Sequence, residues 1–439
     1  MTTATENHPH RDPTEPVDVV VVGSGLAGLT AAATAARAGA TVTLVEGPSP
    51  AGRARTDQRD GFLLNRGPHA LYDRGPGREV LGRLGVTLDG VHPPKVSVLA
   101  WDDHTAAVPQ GPGILVSPFL GSADKARLAR ALTRIIRTDP VTVAHLTVAG
   151  WLDSLLPERP REVLATLVRV GTYCADTDVL SADVAVHQLR AAARGVTYLH
   201  GGWAQLTDGL RAAAPGVHRL GGSAAAVGHD ADGPYVRLGT TDQVLRARQV
   251  VLAPGSPGAT AALLPDGPPP SWSALGPAVT AACLDLGLRR APEIRAWFGV
   301  DRPHYLVAHA PGARLAPAGT ALVHATRYLR HDEAIPADEL AADLHALALR
   351  TGITEDDVVM DRYLHRMVVV SASVTPAGGG LAGRPAVDDT GVDGVLIAGD
   401  GVGPTGWLAD GSLASGEAAG AAAAGAALAR RDGPVRGRR

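Results

Sequence analysis

A glycine-rich stretch near the start of the chain constrains its fold more than any other part of the sequence. Residues 17–52 read VDVVVVGSGLAGLTAAATAARAGATVTLVEGPSPAG. Residues 19–22 are apolar and β-branched, as in strands that are buried on both faces of a parallel sheet. The Ala-rich residues 29–38 predict a helix that ends at Gly39, and residues 41–45 predict a second strand. This order of strand, glycine turn, helix and strand is typical of a βαβ unit.

The spacing of the glycines predicts a dinucleotide site at this turn. Gly23 permits the tight turn of a G-x-G-x-x-G motif, Gly25 lets the backbone approach a pyrophosphate, and Gly28 lets the helix pack against the strand. The helix N-terminus offers free N–H groups to a phosphate. Glu46 ends the second strand, where a carboxylate can bind a ribose diol. The alternative is a glycine turn without a ligand. The candidate binding residues of this unit are Gly23, Ser24, Gly25, Ala27, Gly28 and Glu46.

Composition argues against several other classes of protein. The chain of 439 residues is long enough for about two domains, and its net charge of -3 gives no reason to expect nucleic acid as a partner. Cys174 and Cys283 are far apart and the 16 histidines are scattered, so we predict neither a disulfide framework nor a metal site.

The chain shows no signal for insertion into a membrane. No apolar run is long enough to span a bilayer, and residues 412–429 predict a buried helix instead. Residues 1–16 predict a disordered leader rather than a signal peptide, so we expect a cytoplasmic protein. The basic tail at 430–439 predicts a solvated end, with peripheral contact to an anionic membrane surface as the alternative.

The pattern of elements changes along the chain, which predicts an α/β fold in two domains. Residues 17–90 alternate strands and helices, whereas residues 122–194 have helical spacing interrupted at Pro140, Pro157 and Pro160. The predicted parts are a discontinuous Rossmann-type dinucleotide-binding domain from residues 1–95, 197–285 and 368–439, and a mixed α+β substrate domain from residues 96–196, which form a largely helical insert, and 286–367.

Further segments carry glycines and polar residues suited to the same site. Residues 51–55 read AGRAR, and the guanidinium of Arg53 can cross back to a pyrophosphate because this loop follows the second strand. Residues 64–71 read LNRGPHAL, and residues 395–400 read VLIAGD, an apolar strand that ends in Gly-Asp. Residues 411–416 read GSLASG and predict the turn that opens the last helix.

Together these segments resemble the FAD-dependent amine-oxidase and phytoene-desaturase superfamily, in its bacterial phytoene-desaturase-like branch. Residues 198–210, YLHGGWAQLTDGL, and residues 250–254, VVLAP, also resemble that branch. The resemblance covers roughly residues 17–429 and departs from the family pattern at Ala51 and Ser412, where the family has Gly and Ala.

The resemblance implies that the dinucleotide is FAD, bound non-covalently. It places the turn around His69 beside the flavin ring, Asp400 at the ribityl chain or the pyrophosphate, and the start of the last helix at the pyrimidine side of the ring. The further candidate residues that it implies are Gly52, Arg53, Gly67, Pro68, His69, Ala253, Gly399, Asp400, Trp407, Leu408 and Gly411.

The resemblance also implies an enzyme. We expect an FAD-dependent oxidoreductase, a dehydrogenase, desaturase or oxidase, that removes a hydride from a C–H bond of an apolar small molecule, such as a polyene, an isoprenoid or a natural-product intermediate. We expect O2 or a quinone as the electron acceptor. The sequence identifies no catalytic or proton-accepting residue. A second G-x-G-x-x-G, at Gly378, Gly380 and Gly383, is followed by Arg384-Pro385 rather than by a helix, so we predict a loop there.

Three alternatives remain open from the sequence. A flavin amine oxidase is disfavoured because the chain has no Lys after Lys125 and only 4% aromatic residues, whereas many such enzymes use an active-site Lys and an aromatic cage. A redox-neutral polyene isomerase with a reduced flavin cannot be separated from the desaturase. A prenyl-binding carrier on the same fold would use no flavin chemistry.

Overall fold

The computed structural model describes residues 17–109, 111–239 and 241–432, so the predicted leader and most of the predicted basic tail lie outside the described residues. The strands are β1 (Val17–Val22), β2 (Val42–Glu46), β3 (Asp57–Arg59), β4 (Phe62–Leu64), β5 (Leu71–Tyr72), β6 (Gly90–Val91), β7 (Val96–Trp101), β8 (His104–Pro109), β9 (Val196–Leu199), β10 (His218–Gly221), β11 (Ala224–Asp230), β12 (Gly233–Leu238), β13 (Val244–Leu252), β14 (Val279–Leu288), β15 (Ala296–Gly299), β16 (His304–Ala310), β17 (Ala321–Leu329), β18 (Val358–Val370) and β19 (Val395–Ile397). The α-helices are α1 (Leu26–Arg37), α2 (Pro76–Arg83), α3 (Ser122–Arg137), α4 (Val148–Leu155), α5 (Glu158–Thr172), α6 (Ala182–Ala192), α7 (Ala204–Ala212), α8 (Pro257–Ala261), α9 (Ala337–Arg350) and α10 (Ala409–Asp432).

The first large sheet has the predicted βαβ unit at its centre. Its strand order is β10-β2-β1-β13-β12-β11, and β19 also pairs with β13. β1 is parallel to β2 on one side and to β13 on the other, with Val20 opposite both Thr43 and Val250. Because β19 is parallel to β13 as well, the carboxyl ends of these strands meet at one edge. Ligands bind at that edge in sheets of this kind.

The second large sheet forms a separate layer with the order β18-β14-β17-β16-β15-β7-β8. α9 covers one face of it through Leu340 and Leu344. The other face packs against Phe62, Leu64 and Tyr198 of the first domain. β14 and β18 run across the predicted domain boundaries at 285 and 367, because both strands continue the apolar pattern of their sheet beyond those residues.

Helices α3 to α6 occupy the predicted helical segment. Their apolar faces share a core with Leu99 and Val108 of the second sheet and with Trp407. Pro140 and Pro157 lie outside the α-helices, as predicted, but Pro160 lies in the first turn of α5. A proline is tolerated there because the first N–H groups of a helix have no partner within it.

The last helix, α10, packs closely against α1 through small residues. A Cβ atom on Gly416 would lie 2.4 Å from the carbonyl oxygen of Ala27, and one on Gly420 would lie 2.4 Å from that of Ala31. The prediction of a buried helix holds for this face only, because residues such as Ala421 and Ala422 on the outer face are exposed. Among the described residues, no helix is both long and apolar enough to cross a membrane.

Candidate dinucleotide and substrate site

The turn between β1 and α1 is packed so tightly that two of its glycines have no room for a side chain. Gly23 has a φ of +102°, and a Cβ on it would lie 2.2 Å from the carbonyl oxygen of Ala253. A Cβ on Gly28 would lie 1.8 Å from the carbonyl oxygen of Gly23. These glycines let the turn, the helix and the end of β13 approach each other, which is the role predicted for Gly28.

Gly25 has open space around it, in contrast to Gly23 and Gly28. Among the described residues, no atom outside its chain neighbours lies within 4 Å of the position that a Cβ would take. Gly25 is also the N-cap of α1, and no described side chain caps this helix. α1 begins at Leu26, three residues before the predicted start, so its first N–H groups and its positive dipole end lie at the turn. This arrangement suits a phosphate group.

A cavity of about 830 Å³ begins at this turn and extends between the two sheets. Both ends of the chain contribute to its wall. The predicted residues that line it are Gly23, Ser24, Gly25, Ala27, Gly52, Arg53, Pro68, His69, Ala253, Gly399, Asp400, Trp407 and Leu408. The predicted residues that do not line it are Gly28, Glu46, Gly67 and Gly411. The structure therefore brings most of the predicted residues to one cavity, although they come from distant parts of the sequence.

Glu46 lies beside this cavity at the end of β2. Its neighbours Val45 and Gly47 form the wall, while its own Oε1 is 3.4 Å from a guanidinium nitrogen of Arg211 on α7. Glu46 therefore forms an ion pair within the protein, and its predicted contact with a ribose stays a prediction.

Arg53 and Asp400 form an ion pair that joins the two ends of the chain. A guanidinium nitrogen of Arg53 donates to Asp400 Oδ2 at 2.7 Å and to the carbonyl of Val369 at 3.1 Å. Ser371 donates to the same carboxylate through both its N–H and its hydroxyl. Burial raises the pKa of Asp400, but Arg53 and then Ser371 outweigh it, and the net pKa is lowered. Arg53 and Asp400 both line the cavity, so their predicted contacts with the dinucleotide stay a prediction, and the two side chains also pair with each other.

His69 forms part of the wall next to Trp203. Its Nδ1 lies 2.9 Å from the carbonyl oxygen of Gly67, and its ring meets Trp203 edge to face with 4.4 Å between ring centroids. Burial is the main cause that lowers the pKa of His69 to about 4. The imidazole is therefore neutral at physiological pH.

Aromatic side chains that the sequence did not single out complete the wall. Trp203, Tyr72 and Tyr173 line the cavity, and Tyr173 also contacts Tyr328 edge to face with 5.6 Å between ring centroids. Trp203 lies in the motif YLHGGW, which could have identified it as a site residue from the sequence. No sequence motif marks Tyr173, because it reaches the cavity through a left-handed backbone conformation (φ +58°) at the end of α5. The chain has few aromatic residues, yet several of them are concentrated here.

The start of the last helix differs from the prediction. α10 begins at Ala409, so Gly411 lies inside its first turn and does not open it. The turn is formed earlier, by Gly406 (φ +78°) and Leu408 (φ +56°). As a result, Asp410 lies in the first turn of α10 and lines the cavity.

Asp410 is a buried carboxyl group with an unusual titration. Burial raises its pKa to about 6, despite a hydrogen bond from the backbone N–H of Gly77. Because the folded pKa is above the unfolded value of 3.8, the folded state holds an extra proton between these values, and stability is lost as the pH rises through about 6.

Asp410→Asn is therefore expected to stabilise the apoprotein at pH 8 by on the order of 3 kcal/mol.

Thermal unfolding at pH 8 and at pH 3.5 checks this expectation, since the gain should disappear at the lower pH, below both pKa values. Asp208→Asn, at an exposed position on α7, is the control. Equal stabilisation of Asp410→Asn at both pH values would show that the ionisation of Asp410 is not its cause.

Comparisons with known proteins support this arrangement. A profile of NAD(P)-binding Rossmann-like domains matches residues 21–84. A comparison with curated proteins gave no match. Among solved structures, an oxidoreductase from Methanosarcina mazei has a TM-score of 0.75 at 18% identity, covering 91% of this chain and 99% of its own. Putrescine oxidase bound to putrescine has a TM-score of 0.75 at 17% identity, with coverage of 93% and 99%. Cyclohexylamine oxidase from Brevibacterium oxydans has a TM-score of 0.69 at 20% identity, with coverage of 94% and 99%.

These similarities extend over nearly the whole chain and over nearly the whole of each neighbour. Identities near 18% establish the fold and leave the substrate open. The chain therefore shares the fold of these oxidoreductases.

Proposed function

We propose that this protein is an FAD-dependent oxidoreductase that oxidises a C–H bond of an apolar small molecule. The observation that carries the proposal is one continuous cavity. It extends from the N-terminus of α1, which has no side-chain cap, to a wall lined by aromatic residues. A dinucleotide cofactor needs both parts of such a cavity. One part binds its phosphates, and the other shields from water the ring that reacts with the substrate.

The residues present fit FAD. Gly25 leaves open space where a pyrophosphate would approach the helix, and the wall continues from there to Trp407 and Leu408. When bound, the flavin supplies hydride acceptance. The protein's own residues bind the dinucleotide, orient the substrate and exclude water. The ion pair between Arg53 and Asp400 joins two of the segments that form the wall.

An apolar substrate is supported by large side chains in the wall of the cavity. Tyr173, Trp203, Met367 and Leu408 present mainly apolar surface there. Tyr173 comes from the end of α5, so the helical insert contributes directly to the pocket. We propose O2 or a quinone as the electron acceptor.

A flavin amine oxidase is the second candidate. The aromatic and acidic residues in the cavity wall support it, whereas the amino-acid composition of the chain argued against it. The low aromatic content argued against an aromatic cage, but Tyr173 and Trp203 both line the cavity, which supports this candidate. Asp410 offers a carboxylate that could pair with a cationic amine. Neither Lys95 nor Lys125 lines the cavity, which still distinguishes this chain from oxidases that use an active-site Lys.

Anaerobic mixing of the FAD-loaded protein with a conjugated polyene, a cyclic alkene and cyclohexylamine separates these functions. Bleaching of the flavin absorbance by an apolar alkene but not by the amine is the expected result. Bleaching by the amine alone would establish the second candidate. An absence of bleaching by every compound would contradict the proposed oxidation.

Glu46→Ala is expected to weaken FAD binding by about 1–3 kcal/mol, because the ribose loses a charged hydrogen bond. Glu417→Ala is the matched control, since Glu417 also pairs with an arginine, Arg83, but on the surface. FAD titration followed by flavin fluorescence measures both variants. An unchanged affinity in Glu46→Ala would show that Glu46 serves only its ion pair with Arg211.

A further inference from the structure

Three ionisable side chains lie opposite each other on neighbouring strands of the second sheet. Asp285 on β14 is paired in register with His324 on β17 and with Arg362 on β18. Asp285 and His324 are fully buried, and the side chain of Arg362 is 15% exposed. Such a row is costly to bury unless every charge is compensated.

The hydrogen bonds of this row fix the proton on His324. Its Nδ1 lies 2.6 Å from Asp285 Oδ1, while the Nε of Arg362 donates to Asp285 Oδ2 at 2.8 Å. Burial raises the pKa of Asp285, but His324 and then Arg362 outweigh it, so the carboxyl group is ionised. Nδ1 of His324 therefore carries a hydrogen. Cys283 lies close enough for these groups to resemble a metal site, but both carboxylate oxygens of Asp285 already accept hydrogen bonds, one from His324 and one from Arg362.

Asp285, His324 and Arg362 lie behind residues 65–69, the segment that places His69 in the cavity wall. Arg362 also donates to the backbone carbonyl of Asn65. A Cβ on Gly67 would lie 2.8 Å from the sulfur of Met367 and 3.9 Å from the Cβ of Cys283. Residues 65–69 are thus packed against the strands that hold the charged row.

His69 has a defined tautomer. A carbonyl oxygen only accepts hydrogen bonds, so the 2.9 Å contact with Gly67 places a hydrogen on Nδ1 and leaves the lone pair on Nε2. The ionisable groups that act on His69 are His324 and Arg53, which lower its pKa, and Asp285, which raises it. His309, another buried imidazole, packs edge to face on His324 with 4.7 Å between ring centroids.

The other ionisable groups in the cavity wall are poorly suited to accept a proton. Arg53 and Arg66 are cations, and Asp400 is held by Arg53 and Ser371. Burial raises the pKa of Tyr72 and Tyr173, so both keep their protons. Asp410 accepts from Gly77, and Gly75 and Gly77 enclose its carboxylate so closely that a Cβ on either would lie within 2.6 Å of an oxygen.

We propose that His69 accepts the proton that the substrate loses during the proposed oxidation, and that Asp285, fixed by His324 and Arg362, is a positioning residue that offsets the resulting positive charge. The inference rests on the proposed function. One C–H bond breaks and its electron pair leaves as hydride to the flavin, which is the oxidant. A C–H bond on the neighbouring atom breaks, its electron pair forms the new π bond, and its proton goes to His69 Nε2. A weak base suffices because that proton lies beside an electron-deficient carbon.

The test uses four variants of the FAD-loaded protein: His69→Gln, Asp285→Asn, Asp410→Asn and, as the matched control, His304→Gln. His304 belongs to the same sheet and pairs with Asp343 at 2.7 Å, but Asp343 lies on α9, on the far side of the sheet. The first readout needs no substrate. In 15N-histidine NMR titrations, Asp285→Asn is expected to lower the pKa of His69 further, and His304→Gln is expected to leave it unchanged. An unchanged pKa in Asp285→Asn would overturn the role of Asp285.

The second readout is the rate of anaerobic flavin reduction by whichever compound of the polyene, alkene and amine panel bleaches the wild type. His69→Gln is expected to reduce this rate by roughly 100-fold or more, with FAD still bound. A wild-type rate in His69→Gln, or a larger loss in Asp410→Asn than in His69→Gln, would overturn the inference while leaving the proposed function intact. If no compound reduces the wild-type flavin, the proposed function fails and the inference fails with it.

Discussion

Alanine at position 25 is expected to leave the stability of the apoprotein unchanged and to abolish FAD retention. The backbone at Gly25 (φ -73°, ψ -177°) is open to any residue, and a Cβ there meets no described atom within 4 Å. That open space is where a pyrophosphate would contact the N-terminus of α1. A methyl group in the same space should lower FAD affinity at least 100-fold, which is about 3 kcal/mol.

Gly28→Ala is the informative comparison for this prediction. Its Cβ would lie 1.8 Å from the carbonyl oxygen of Gly23, so α1 must move away from the turn and both stability and FAD binding should fall. Gly82→Ala, at an exposed position in α2 with open space around it, controls for the loss of glycine itself. Thermal unfolding of the apoproteins and FAD titration give the two measurements. Tight FAD binding by Gly25→Ala would show that no phosphate lies against this helix.

Asp285→Ala is expected to destabilise the fold by about 3–5 kcal/mol, because it leaves the largely buried Arg362 without its carboxylate. His324 loses the partner that holds its ring as well. Asp230→Ala, which removes the exposed partner of Arg246, should have no measurable effect on stability. Urea unfolding at pH 7 compares the two variants.

The pH dependence of this prediction has a definite sign. The pKa of Asp285 is lower in the folded state than its unfolded value of 3.8. Its contribution is therefore complete above the unfolded pKa and is lost as the pH falls through the folded pKa. The difference between wild type and Asp285→Ala should shrink in acid. A difference below 1 kcal/mol at pH 7 would contradict the view of this row as a compensated buried ion pair.

Local patterns made the dinucleotide half of the site predictable. The βαβ unit and its glycines are encoded within a few dozen residues, and the structure places β1, α1 and β2 close to the predicted positions. The strands of the second sheet were also visible as apolar alternation, although β14 and β18 extend past the predicted domain boundaries.

The remaining features depend on contacts between distant residues. Arg53 and Asp400 are 347 positions apart, so their ion pair has no local signature. Asp285, His324 and Arg362 meet only because β14 lies between β17 and β18. The start of α10 was misplaced because the glycines of residues 411–416 resemble a turn, whereas the positive φ angles at Gly406 and Leu408 make the actual one.

The account rests on the claim that the cavity holds one FAD. Its most direct test is the titration of purified apoprotein with FAD, followed by acid precipitation of the complex. We predict saturation at one FAD per chain and complete release of the flavin into the acid supernatant, since binding is non-covalent. Protein that remains colourless and takes up no FAD would contradict the account.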